Sequence, residues 1–104
     1  MKVSVTSRHL KSTKGLRDYV EEKLLKISKY LSEPVEANVV LTGEKFRQLS
    51  EVTITHSGLT TRGEGEATDM RSAIDDAIER IEKQLRRQKD KFNHQKKVME
   101  KWRS

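Results

Sequence analysis

The chain has no cysteine, few aromatic residues and no long apolar run, and each absence excludes something. With no cysteine in 104 residues there is no disulfide framework, thiolate metal site or cysteine nucleophile. The longest apolar run is the three residues Val39–Leu41, too short for a membrane span or a signal-peptide core. Aromatics make up 5% of the chain. Tyr19, Tyr30, Phe46, Phe92 and Trp102 do not gather on one strand face, which argues against single-strand readers that stack bases on an aromatic platform. One domain with a modest core is expected from the length. A small soluble protein of a reducing compartment, the cytoplasm, is the corresponding expectation, with no membrane partner.

What the chain has instead is charge. It carries 22 Lys+Arg against 16 Asp+Glu, a formal net of +6. Residues 1–82 hold 13 of these bases and 14 of the acids, whereas residues 83–104 hold 9 and 2. The excess therefore belongs to the last fifth of the chain, which points to a nucleic-acid partner or to a solvated basic tail.

Periodicity divides the chain into six elements. Lys2–Thr6 alternates polar and apolar residues, as a half-buried strand does. After a polar stretch, Thr13 offers a helix cap. Leu16, Val20, Leu24, Ile27 and Leu31 then mark one face of a helix over about 14–32, closed by Pro34. Alternation returns at Val35, Ala37, Val39 and Leu41, at Val52 and Ile54, and over Leu59–Ala67, with Ser57-Gly58 as a two-residue hairpin turn. Gly63 and Gly65 on an inward face predict either close approach of a helix or a bulge. Thr68 caps a second helix with Asp69 in its first turn. Met70, Ile74, Ala77, Ile78, Ile81 and Leu85 form its buried stripe, and Phe92, Val98, Met99 and Trp102 continue a sparser seam. The order β-α-β-β-β-α predicts an α+β two-layer sandwich, with a four-stranded mixed sheet and two helices on one face.

Catalysis finds no constellation in this pattern. His9, His56 and His94 do not converge, and His56 with Glu64 across the hairpin reads as a surface pair. Gly63-Glu64-Gly65 lacks the Lys-Ser/Thr of a phosphate loop. Asp75, Asp76 and Glu79 read as a solvated, dipole-favoured helix start. Neither an enzyme activity, a metal, a cofactor nor a small-molecule substrate is expected.

The second helix is more informative. Arg80, Lys83, Arg87 and Lys91 fall within a stripe about 80° wide, away from the apolar face. Like charges at these spacings repel by a few tenths of a kcal/mol per pair, a cost that a polyanion track would offset. Lys23 and Lys26 on the first helix, with Lys29 beyond, are expected to face that stripe across a groove suited to phosphates.

Several motifs carry a resemblance. Thr6, then Thr13-x-x-Leu16-Arg17-x-x-Val20-x-x-Lys23-x-x-Lys26, resembles the start of the bacterial ribosome hibernation promoting factor family. This family includes the ribosome-associated inhibitor and has also been labelled sigma-54 modulation protein. Val39-Val40-Leu41, Asp69-Met70-x-x-Ala73-Ile74-Asp75 and Gln84-Leu85-x-x-x-Lys89-Asp90-Lys91 fit as well. The likeness covers residues 1–95, leaving 96–104 as a basic C-terminal tail. It implies the same β-α-β-β-β-α topology and no enzyme activity. It further implies binding to the small ribosomal subunit in the mRNA and tRNA channel, with inhibition of translation by occlusion during stress and stationary phase. The rRNA contacts it implies are Arg17, Lys23, Lys26, Arg80, Lys83, Arg87, Lys89 and Lys91. A second hibernation factor or a ribosome dimer is a further partner.

Departures from the family pattern are also visible. The usual tyrosine after Asp-Met is Arg71, so that any stacking role of the ring is lost or replaced by guanidinium stacking. The end of the chain is basic, and no counterpart of the long subtype's dimerisation domain follows, as in a short form or an isolated N-terminal domain. The topology also resembles double-stranded-RNA-binding domains, but their Lys cluster is replaced by Asp69, Asp75, Asp76 and Glu79, which disfavours duplex binding there. The alternative is a protein-interaction module or homodimer that docks through Phe92, Met99 and Trp102.

Overall fold

A computed structural model describes the backbone of residues 1–103 and the side chains of residues 1–89. The seam of Phe92, Val98, Met99 and Trp102, the side chains of Lys91 and His94, and those of the basic tail lie outside the described residues. Strands β1 (Lys2–Arg8), β2 (Val35–Gly43), β3 (Gln48–His56) and β4 (Leu59–Ala67) accompany helices α1 (Leu16–Lys26) and α2 (Met70–Arg103), with a 3₁₀ turn at Ser28–Tyr30. The sheet order is β1-β2-β3-β4. β1 pairs parallel with β2 across the α1 crossover, and the other pairs are antiparallel. This is the expected two-layer α+β sandwich.

The alternating residues explain the layers. Val35, Ala37, Val39 and Leu41 of β2 and Val52 and Ile54 of β3 point one way, into a core shared with Val20 and Leu24 of α1 and Ile74, Ile78, Ile81 and Leu85 of α2. Full burial of one such side chain is worth about 1.5–3 kcal/mol. The other face carries polar rows such as Ser4, Asn38, Thr53 and Arg62, aligned by the register. The β3–β4 pairing runs without interruption from Gln48↔Ala67 to His56↔Leu59. Gly63 and Gly65 therefore mark close approach of α2 and not a bulge. A Cβ on Gly63 would lie 2.8 Å from the Ala77 carbonyl oxygen, and one on Gly65 would overlap that of Ala73. The hairpin turn at Ser57-Gly58 has φ of 50° and 73°, the positive pair that a tight two-residue connection requires.

Five local expectations are corrected, the last of them at the start of α2. Thr13 does not cap α1: Gly15 precedes the helix at φ 73°, without a side-chain cap, and Leu16 N–H donates to the Thr13 carbonyl at 3.1 Å. A left-handed residue cannot sit inside a right-handed helix, so the helix restarts after it. α1 also ends at Lys26, earlier than its apolar spacing suggests. The Ser28 hydroxyl donates to the Leu25 carbonyl at 2.7 Å, the chain tightens into the 3₁₀ turn, and Leu31 is extended. β1 runs on to Arg8 and β2 to Gly43, because backbone pairing continues after the apolar alternation has stopped. Nor is His56 paired with Glu64. Register puts His56 opposite Leu59 and Glu64 opposite Glu51. His56 faces inward, 8% exposed, and its Nδ1 accepts the Ser32 N–H at 3.3 Å.

The cap of α2 is displaced by one residue from the expected Thr68. The Asp69 carboxylate accepts the Ser72 N–H at 2.9 Å, which holds its carboxyl below the usual range. Asp69→Ala is expected to lower the melting temperature, and Asp69→Asn to retain most of it, because an amide oxygen still accepts that N–H. A lowered folded-state pKa means the carboxylate's contribution is complete above its unfolded value, about 3.9, and is lost as pH falls through the lower folded value. Thermal melts from about pH 7 to about pH 2 check this. A wild-type advantage over Asp69→Ala that stays constant down to the acid end would contradict it.

Candidate nucleic-acid interface

Residues three and four apart share one side of a helix, so Arg80, Lys83 and Arg87 line up along α2. They form one wall of an open groove of about 770 Å³ between α2 and β4, opposite Arg62, Gly63 and Glu64. Side-chain bonds to the free edge of β4 position this wall. Gln84 Nε2 donates to the Arg62 carbonyl at 2.6 Å, and the Glu66 N–H donates to Asp76 Oδ2 at 3.3 Å. Covering an edge strand in this way also blocks edge-to-edge pairing.

The stripe is less bare than its spacing suggests. Arg80 Nε lies 3.4 Å from Asp76 Oδ1, and Lys83 Nζ lies 3.6 Å from Glu79 Oε1. Acids one turn earlier thus relieve the expected repulsion, a correction to the picture of four uncompensated charges. Exposed i,i+4 pairs of this kind contribute about 0.3–0.5 kcal/mol, so a phosphate could displace them at small cost. Arg87 makes no ion pair among the described residues.

The opposite flank of α2 meets α1. Tyr19 donates its hydroxyl to Asp75 Oδ1 at 2.6 Å, and Lys23 Nζ lies 3.6 Å from the same oxygen. That bond to a carboxylate raises the Tyr19 pKa and keeps the phenol protonated. The Tyr19 ring is flanked by cations, with Arg71 Cζ 4.9 Å and Lys23 Nζ 5.2 Å from its centroid. Arg71 thus lays its guanidinium over the Tyr19 ring. One turn beyond α1, Tyr30 receives a hydrogen bond from Arg86 Nε at 3.2 Å, and Lys89 Nζ lies 5.8 Å from its ring. Such exposed cation–π contacts are worth about 0.5–1 kcal/mol each.

The predicted contact residues accordingly divide. Arg80, Lys83 and Arg87 line the β4 groove, whereas Lys23 and Lys89 lie in the seam between the helices. The expected groove with α1 lysines on one wall and the α2 stripe on the other is not formed, because the two sets occupy opposite flanks of one helix. Arg17 stands apart from both. Its Nη2 donates to the Val3 carbonyl on the free edge of β1 at 3.2 Å, and its Nε lies 3.2 Å from Glu21. Lys26 is exposed on the last turn of α1, and the Lys91 side chain lies outside the described residues. Sequence spacing missed Arg62, Arg71 and Arg86. Only the sheet register and the packing of the helices bring Arg62 to the β4 groove, Arg71 to Tyr19 and Arg86 to Tyr30, although the departure at Arg71 is a visible signal.

Among the described residues no group of three His, Cys, Asp or Glu could hold a metal ion, and no helix is long and apolar enough to cross a membrane. Sheet, helices and cation-lined flanks together define a class: a small β-α-β-β-β-α domain whose long last helix presents basic side chains to either side. Comparison with known proteins makes the class specific. The family described as sigma 54 modulation protein / S30EA ribosomal protein matches residues 3–93. The chain is 34% identical to the ribosome hibernation promoting factor of Azotobacter vinelandii, over 88% of this chain and 85% of that protein. It is 32% identical to the Escherichia coli K12 protein of the same name, over 88% and 97%. The crystal structure of the Thermus thermophilus Protein Y N-terminal domain superposes with a TM-score of 0.75 at 33% identity, over 84% of this chain and 98% of that one. A ribosomal subunit interface protein from Coxiella burnetii shares the fold, with a TM-score of 0.76 at 22% identity over 86% and 99%. The chain belongs to the sigma 54 modulation protein / S30EA ribosomal protein family.

Proposed function

We propose that this protein is a cytoplasmic ribosome hibernation factor that acts by occupying space and not by catalysis. It binds the small ribosomal subunit in the channel used by mRNA and tRNA and blocks translation there during stress and stationary phase. Membership of a family whose similar members are named ribosome hibernation promoting factors carries this reading. The cationic groove along α2 supports it, since exposed guanidinium and ammonium groups on a rigid helix suit rRNA phosphates better than base edges. Residues 1–95 would form the ribosome-binding unit and 96–104 a basic extension. Arg80, Lys83, Arg87, Lys89 and Lys91 on α2 would contact phosphates, with Arg17, Lys23 and Lys26 contributing from α1. A second hibernation factor or a ribosome dimer is the further partner in this scheme. The docking seam of Phe92, Met99 and Trp102 lies outside the described residues and gains no support.

Co-sedimentation of the protein with purified small subunits at rising salt tests the proposal. With about six phosphate contacts, affinity is expected to fall by orders of magnitude between about 50 and about 200 mM salt. Absence of co-sedimentation at low salt, or affinity indifferent to salt, would overturn it.

A further inference from the structure

The cations of the α2 groove mostly have acidic partners; four of those at one end of the sheet have none among the described residues. The β1–α1 loop, the β2–β3 loop and the start of α2 surround an open cleft of about 780 Å³, lined among others by Lys11, Lys14, Lys45 and Arg71. None of these four forms an ion pair among the described residues. The two acids at the cleft are already engaged, Glu44 with Arg47 at 2.6 Å and Asp69 with the Ser72 N–H. Because Asp69 caps α2, the bare helix end is not what makes the cleft attractive to an anion; the side-chain cations are.

Two features fix the shape of this end. Gly43 lets the end of β2 lie against the β1–α1 loop, since a Cβ there would sit 2.7 Å from the His9 carbonyl oxygen and 2.8 Å from the Leu10 side chain. The β2–β3 turn is closed by the Glu44 N–H donating to the Arg47 carbonyl at 2.9 Å, and Arg47 also reaches Glu66 at 3.4 Å. On this braced turn stands Phe46, 83% exposed, with Lys45 Nζ 5.3 Å from its ring centroid. The ring gains nothing from burial, and the turn that carries it is already ordered.

We infer that this loop end is a second RNA-binding site, in which the Phe46 ring stacks on one unpaired base while Lys11, Lys14, Lys45 and Arg71 hold the adjoining phosphates. The ligand class is single-stranded RNA, of which an exposed loop or bulge in a larger RNA is one form. A single ring is no platform for successive bases, but a lone aromatic beside cations without carboxylate partners among the described residues suits one splayed nucleotide, because every base offers a π-face and every nucleotide a phosphate. A regular duplex keeps its bases stacked and offers Phe46 nothing. An acidic protein surface would satisfy the cations but leave the ring in water. This inference deepens the ribosome proposal by adding a contact away from the α2 groove, and the test separates the two.

The test uses the full chain in two assays. In the first, NMR chemical shifts of the isotope-labelled protein are followed during titration with a ten-nucleotide single-stranded RNA, a duplex of equal length, or inorganic phosphate. Shifts of Phe46 and its loop neighbours with the single strand, and not with the duplex, are expected. Shifts confined to the Arg80, Lys83 and Arg87 region would overturn the inference, as would equal loop-end shifts with inorganic phosphate alone. In the second, Phe46→Ala is expected to weaken binding to small subunits about tenfold, with an unchanged salt slope and with Phe46→Trp retaining affinity. Lys11→Gln/Lys14→Gln is expected to reduce the salt slope by between one and two. All three substituted positions lie outside the core, so melting temperatures should hold. Loop-end shifts without subunit binding would leave this site standing and remove the ribosome proposal. Subunit binding that is unaffected by Phe46→Ala would do the reverse.

Discussion

Gly65→Ala is expected to destabilise the protein by about 3 kcal/mol or more, among the largest effects available to a single methyl group. A Cβ at this position would overlap the Ala73 carbonyl oxygen and lie 2.6 Å from the Ala77 nitrogen. Both are backbone atoms of α2, so no side chain can rotate away to make room. Either β4 or the helix must move, and that would loosen the packing of Ile74, Ala77 and Ile81, each fully buried at 0% exposure. For a domain of this size the loss corresponds to a fall in melting temperature of at least about 12 °C. Gly58→Ala is the control. Gly58 has φ 73° but nothing within 4 Å of where a methyl group would stand, so its cost is that of a left-handed residue alone, about 1–2 kcal/mol. Equal effects of the two substitutions on thermal melts would refute the close-approach account. The same packing places Asp76, Arg80, Lys83 and Gln84 beside β4, so a shifted helix should also disturb the groove.

Reversing the charge of Lys83 and Arg87 together is expected to weaken binding to small subunits at least 100-fold at low salt. Two phosphate contacts would be lost and two repulsive charges would replace them. The slope of log affinity against log salt should become shallower by about 1.4–1.8, at roughly 0.7–0.9 per phosphate. Stability should change little. Lys83 is well exposed and, among the described residues, pairs with Glu79, an interaction whose loss costs less than about 1 kcal/mol. Binding by the Lys83→Glu/Arg87→Glu protein that matches the wild type, in affinity or in salt slope, would show that the groove is not the contact surface. Arg17→Glu provides a contrast: besides its proposed phosphate contact it would remove a bond to the β1 edge and the Glu21 pair, so unlike the groove variant it should lower the melting temperature as well as affinity.

The pattern of what was legible follows the range of the interactions concerned. Two-residue alternation and the 3.6-residue repeat are local, and they marked all four strands, both helices and the buried stripe of α2 from Met70 to Leu85. Ser57-Gly58 and the inward pair Gly63 and Gly65 were legible for the same reason. Local competition moved the boundaries: the left-handed Gly15 delayed α1, the Ser28 hydroxyl shortened it, and Asp69 took the cap from Thr68. The Arg80, Lys83 and Arg87 stripe was also visible, since helical spacing alone puts the three on one side.

By itself the amino-acid sequence determined the class of fold, the faces that are buried and the uneven distribution of charge, because these depend on residues close together along the chain. Which cations stand opposite which groups was decided only by tertiary structure. Lys23 meets Asp75 and Arg71 meets Tyr19 because α1 lies along one flank of α2; Arg62 joins Gln84 because β4 lies along the other. Lys11, Lys14, Lys45 and Arg71 converge because Gly43 lets two loops touch. Each of those meetings joins residues far apart in the chain, and its geometry is set by sheet register and helix packing, quantities that no local pattern encodes.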